Sequence, residues 1–114
     1  MKNPFGGMGD LSKMMQAARE MQDKVENLQK SLDAITVTGE AGAGLVRATA
    51  TAKGDLTALD IDPSIFVASE KQVVEDLILA AIKDAQRRAQ DRAKQETERL
   101  AGDMGLPPGM KLPF

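Results

Sequence analysis

Eight apolar residues near the start of the chain, Leu11, Met14, Ala18, Met21, Val25, Leu28, Leu32 and Ile35, are separated by steps that alternate between three and four. An unbroken seam of that period has one good solution, an amphipathic helix whose apolar stripe is covered by another helix. Asp10 stands where such a helix would be capped. The other side is polar, and Arg19/Asp23, Glu20/Lys24 and Glu26/Lys30 all have the i,i+4 spacing of helical ion pairs.

The period then drops to two. "ITVTG" sets Ile35 and Val37 against Thr36 and Thr38; "LVRATATAK" sets Val46, Ala48, Ala50 and Ala52 against Arg47, Thr49, Thr51 and Lys53; "LTALDI" puts Leu59 and Ile61 on one side. Three strands are predicted. Gly54-Asp55, with Gly first, reads as a two-residue type II′ turn between the second and third. The inward side of the middle strand is nearly all Ala, which leaves room for another element to come close.

Pro63 ends the third strand, because it cannot donate to a ladder. Ser69 with Gln72 three residues later reads as a capping box, and residues 70 to 101 hold no Gly or Pro. A second, longer helix is expected there, thickly apolar in its first half and thinning to an Ala seam in its second. The ending "GLPPGMKLPF" is neither helix nor central strand. The fold class expected is α+β: helix, three-stranded antiparallel sheet, long helix. The divisions expected are a flexible arm at 1–9, one domain at 10–104 and a Pro-rich tail at 105–114.

The sequence offers little chemistry. It has no Cys and no His, which removes thiolate nucleophiles, imidazole bases and the usual zinc ligands. Gly39 and Gly44 have the separation of the phosphate-loop glycines, but Leu45 and Val46 occupy the places of the essential Lys and Ser/Thr. The glycines at 39, 42 and 44 also open a strand where a dinucleotide fingerprint opens a helix. They are read as shaping a wide hairpin loop. Asp60 and Asp62 share one side of a strand, and the alternation with Leu59 and Ile61 makes them its wet face. No enzyme activity, small-molecule substrate, metal or other cofactor is expected. There is no apolar run of membrane-spanning length and no export signal, so the reading is of a soluble cytoplasmic protein without a membrane partner.

Geometry and charge say more. A helix of 24 residues is about 36 Å long and one of 32 about 48 Å, whereas three strands span only about 10 Å between outer axes. The helices must therefore overhang the sheet, and a seam left in water needs the second helix, a second subunit, or both. A homodimer is the expected solution. Residues 83 to 99 carry six basic side chains against four acidic ones, whereas residues 35 to 82 total −4. Arg88, Arg92 and Arg99 share a helix face, and Arg suits phosphate. A solvated helix with internal pairs, Asp84/Arg88, Asp91/Lys94, Arg92/Glu96 and Glu96/Arg99, explains the same charges and is the simpler account from charge alone.

Four stretches tip that balance: "MGDLSKMMQAAREMQDKVENLQ", "VTGEAGAGLVRATATAKGDLTALDIDPSIF", "EDLILAAIKDAQRRAQDRAKQE" and the ending "GLPPGMKLPF". Together they resemble the YbaB/EbfC family of small bacterial nucleoid-associated proteins over nearly the whole chain. The resemblance implies a dimer with a three-stranded sheet in each subunit and projecting helices, binding double-stranded DNA in the nucleoid and contributing to its organisation and to gene regulation. It supplies no contact signature for numbered positions. The contact residues expected are electrostatic: chiefly Arg87, Arg88, Arg92, Lys94 and Arg99, with Lys13, Arg19, Lys24 and Lys30 as lesser candidates. The net charge of −2 makes the expected binding weak and salt-sensitive. The rival is a helical scaffold or prefoldin-like chaperone, for which the early methionines and the Pro-rich tail would bind protein clients. Bare Met and Leu on the projecting ends would favour that rival, Arg and Lys the DNA reading.

Overall fold

The computed structural model describes residues 6–105, with side-chain surroundings from residue 10 onward. The order is α1 (Gly6–Ala34), β1 (Thr36–Ala41), β2 (Val46–Thr51), β3 (Leu56–Ile61), two 3-10 turns (Pro63–Ile65 and Ala68–Glu70) and α2 (Lys71–Asp103). The sheet is antiparallel with order β1-β2-β3. The expected architecture is thus the observed one, drawn out to 83 × 22 × 18 Å.

Local details differ from the sequence reading. Asp10 lies inside α1 rather than at its cap: the helix starts at Gly6, so residues 6–9 of the expected arm are helical, while residues 1–5 lie outside the described residues. The capping box does not form. Ser69 sits in a 3-10 turn, α2 begins after Glu70 without a side-chain cap, and Gln72 turns along the helix to Asp76 at 3.0 Å. Four residues connect β2 to β3, and because Asp55 pairs with Thr51 the turn itself closes over three, Ala52 to Gly54, with Gly last. Gly54 N–H donates to Thr51 O and Thr51 N–H to Asp55 O, both at 2.8 Å, and Gly54 takes φ +95°. That is a type I turn closed by a left-handed glycine. The same loop holds the first helix: Ala52 N–H donates to Leu32 O and Ile35 O at the end of α1, and Lys53 pairs with Asp33 at 3.1 Å.

The core lies between α2 and the first two strands. Val46, Ala48 and Ala50 of β2 are fully buried against Ala81, Ala85 and Ala89 of α2, with Val37, Ala41, Ile61, Ile65, Leu77, Ile78 and Ile82 around them. Small residues at i,i+4 spacing on α2 face small residues at alternate positions on β2, so backbone approaches backbone. Gly39 of β1 takes this furthest. A Cβ there would lie 2.1 Å from Ala85 N and 2.7 Å from Ala81 O. Gly39 therefore belongs to helix–sheet packing and not to the loop. The loop itself is Gly42 to Leu45, with Gly42, Ala43 and Gly44 all at positive φ.

Both helices leave the sheet on the same side. Leu28 and Ala101 are buried where they meet, while residues 10 to 20 of α1 are exposed throughout. Neither described helix lies over β3: Ile61 reaches the core, but Leu59, expected beside it as an inward residue, is 47% exposed, as α2 crosses only β1 and β2. Leu56, Phe66 and Val67 are exposed nearby in the chain.

Candidate nucleic-acid interface

The arginines of α2 are arranged by two carboxylates. Asp84, whose side chain is 17% exposed, sits beside Gly39, where the helix comes closest to β1. Its Oδ2 accepts from Glu40 N–H at 3.1 Å and from Arg88 Nε at 3.0 Å, and its Oδ1 accepts from Arg87 at 2.5 Å. These donors, the Glu40 amide foremost and then Arg87 and Arg88, hold the carboxyl below the ordinary 3.8, at about 2. Glu96, one overhang further along and 13% exposed, takes Arg92 at 3.3 Å on Oε1 and Arg99 at 3.7 Å on Oε2. Each acid thus carries two guanidinium groups, and each cluster keeps one net positive charge.

At 100° per residue Arg88, Arg92 and Arg99 fall within a narrow sector of α2, and eleven residues separate the ends of the row by about 17 Å. Half a turn of B-form DNA is about the same length. Arg87 lies off that sector but is tied to it through Asp84. Lys94 is exposed and makes no ion pair among the described residues; Asp91, its expected partner, does not reach it. On α1, Lys13, Arg19, Lys24 and Lys30 are exposed along the length of the helix, and the expected pairs Arg19/Asp23, Glu20/Lys24 and Glu26/Lys30 do not close within 4.0 Å. Long side chains in water gain too little from such pairing to be held in one geometry. The structure thus gathers the α2 arginines into a set and leaves the α1 cations scattered.

Sequence reasoning identified Asp84/Arg88 and both Glu96 pairs. It missed Arg87 on Asp84, although the i,i+3 spacing was present, and it had no means of finding the Glu40 amide, which depends on where the helix crosses the strand. It also missed Arg47 opposite Glu40 at 3.5 Å, which needs the hairpin register.

Other candidate chemistry does not assemble. The glycine loop joins two antiparallel strands, so it has no helix N-terminus to offer a phosphate. Asp60 is exposed, and Asp62 accepts from Ser64 N–H at 2.8 Å, which caps a 3-10 turn and lowers the carboxyl's pKa. An open groove of about 620 Å³ at the root of the two helices is lined by Gln29, Leu32, Lys53, Gln86, Gln90 and Ala93, with no carboxylate or hydroxyl among them. Among the described residues no cluster of three acids could hold a metal, and no helix is long and apolar enough to cross a membrane.

The model of the YbaB/EbfC DNA-binding family matches residues 8–104. Nucleoid-associated protein Atu0095 of Agrobacterium fabrum is 43% identical over 107 residues, which is 94% of this chain and 100% of that protein. A nucleoid-associated protein of Gluconacetobacter diazotrophicus is 40% identical over the same coverage. The crystal structure of the uncharacterized protein HP0035 from Helicobacter pylori superposes with a TM-score of 0.66 at 22% identity, covering 82% of this chain and 94% of that one, which shows a shared fold.

Proposed function

The chain belongs to the YbaB/EbfC DNA-binding family, which is not a family of enzymes, and on that premise we propose that it is a nucleoid-associated protein that binds double-stranded DNA as a homodimer. It acts in the cytoplasm at the nucleoid, contributing to nucleoid organisation and gene regulation. The observation that carries this reading is the row Arg88, Arg92 and Arg99, which begins where α2 still lies on the sheet, runs out along the helix beyond it, and is backed by Asp84 and Glu96. A guanidinium pre-aligned by a carboxylate loses less freedom on meeting a phosphate than a free one does, and Arg offers phosphate a planar fork of donors. Arg87 and Lys94 flank the row, and Lys13, Arg19, Lys24 and Lys30 add diffuse attraction.

Dimerisation is supported by the uncovered side of β3. Leu56 and Leu59 lie across from Ala50 and Ala48 in register, on the face α2 uses elsewhere, and none of the described elements covers them. A second copy packed there would present the arginine row twice. The internal acids and the net charge of −2 make binding weak and salt-dependent.

The test is fluorescence anisotropy of a labelled duplex of about 30 base pairs at several salt concentrations, with the triple variant R88A/R92A/R99A alongside. A log–log salt slope of several units, at about 0.9 per phosphate, that drops with affinity in the variant supports the reading. A folded dimer that binds nothing at low salt refutes it. The scaffold or chaperone reading then leads, because the α1 overhang displays Leu11 at 56%, Met14 at 68% and Met15 at 54% exposure alongside its cations.

A further inference from the structure

The apolar seam of α1 is covered over only half its length. Leu32 and Ala93 line one groove at the sheet end, and α1 runs toward the sheet while α2 runs away from it. Eleven residues back along α1 and eleven forward along α2, about 17 Å in each case, Met21 stands level with Met104. The burial agrees: on α1 Met21, Val25 and Leu32 are half-buried and Leu28 buried; on α2 Ala93 and Leu100 are half-buried and Ala101 buried, as Met104 just past its end is half-buried; whereas every α1 residue from Asp10 to Glu20 is exposed. The seam continues through Ala18, Met14 and Leu11 with none of the described residues packed on it, and Met15 lies beside it.

The place where α2 stops coincides with the place where the cover ends. Gly105 leaves the helix in the left-handed region at φ +73°, its N–H donating to Gly102 O at 3.0 Å, a terminator that turns the chain off the helix axis. Nine residues follow, with Leu106, Met110, Leu112 and Phe114 as their apolar members and Pro107, Pro108 and Pro113 excluding a helix. Extended at about 3.1 Å per residue they reach about 28 Å, and the uncovered seam from Met21 to Leu11 is about 15 Å long.

We propose that residues 106–114 dock on this seam, so that the tail of the chain supplies the cover that α2 does not. The tail begins level with the start of the uncovered seam, so docking closes only a short loop and needs no second molecule. A second copy fits less well. The uncovered face of β3 is at the opposite end of the molecule, and a further self-association at the tip of each arm would link dimers into open chains instead of closing them. The proposal does not depend on DNA binding.

The experiment is a peroxide footprint of Met14 and Met15, read by peptide mass spectrometry without DNA. It uses the whole chain, a chain ended after Gly105, and the full-length variant L112S/F114S, with far-UV circular dichroism confirming that each is folded. Thioether oxidation follows exposure, so both altered chains should oxidise at these positions roughly fivefold faster than the whole chain. Equal rates in all three overturn the proposal. Protection of the whole chain that disappears on about tenfold dilution assigns the seam to a second copy and overturns it as well. If the shortened chain fails to fold, the double substitution, which keeps the tail's length, decides alone.

Discussion

Gly39→Ala tests the packing on which the candidate interface is built. The glycine is in extended backbone, so the new methyl group brings no backbone strain and its effect is steric. Its Cβ would sit 2.1 Å from Ala85 N and 2.6 Å from Ala85 Cα, about 1.3 Å short of the 3.4 Å at which ordinary contact begins. The obstacles are main-chain atoms, so no rotamer change relieves them and the 33-residue α2 must move as a body. Overpacking of this kind costs about 1–3 kcal/mol where side chains can yield, so the expectation here is about 3 kcal/mol or more. Ala in place of a strand Gly returns about 0.5–1 kcal/mol, which is too little to offset it. Lifting α2 also draws Asp84 from Glu40 N–H, now 3.1 Å away, and so loosens the hold on Arg87 and Arg88. The assay is urea unfolding at one protomer concentration, where about 3 kcal/mol moves the midpoint by about 1–2 M. Gly102→Ala is the control: it sits in α2 with nothing within 4 Å of a new Cβ, and it should stabilise by about 0.5–1 kcal/mol. A Gly39→Ala midpoint within about 1 kcal/mol of the parent would refute the close approach of α2 to β1.

The acid side of the stability curve reports Asp84. Its carboxyl is held from 3.8 down to about 2, so its contribution is complete above pH 4 and is lost as the pH falls toward 2. Asp84→Asn should therefore be less stable at neutral pH and converge with the parent near pH 2; parallel curves would refute the role. Glu96→Gln frees Arg92 and Arg99 from their internal anion, and its DNA salt slope should steepen by up to about one unit per protomer, read from the same anisotropy titration, whereas an unchanged or shallower slope would count against the row as the contact surface. Leu59→Lys places a charge on the uncovered face of β3 and should shift sedimentation toward the monomer while leaving the helical circular dichroism unchanged; an intact dimer would locate the interface elsewhere.

The element order, the class of fold and the Ala-lined face of β2 were legible in the sequence because each is written in the spacing of residues close along the chain. A seam of threes and fours, an alternation of twos and a Gly- and Pro-free run leave one secondary structure each. The family resemblance was carried by the same continuous stretches and is met by the match over residues 8–104. Half of the candidate site was equally local: Glu96 finds Arg92 and Arg99 within one turn of its own helix. What the tertiary structure decided lies where distant segments meet. Gly39 looked like part of a loop until α2 crossed it, Asp84 became a hub only once β1 brought it the Glu40 amide, and the β2–β3 turn took the form that lets Ala52 hold the end of α1. The uncovered stretches of α1 and β3 are of the same kind. Period tells which face of an element seeks cover, but whether it receives any depends on the length and crossing point of the elements packed on it, and no residue's near neighbours encode that.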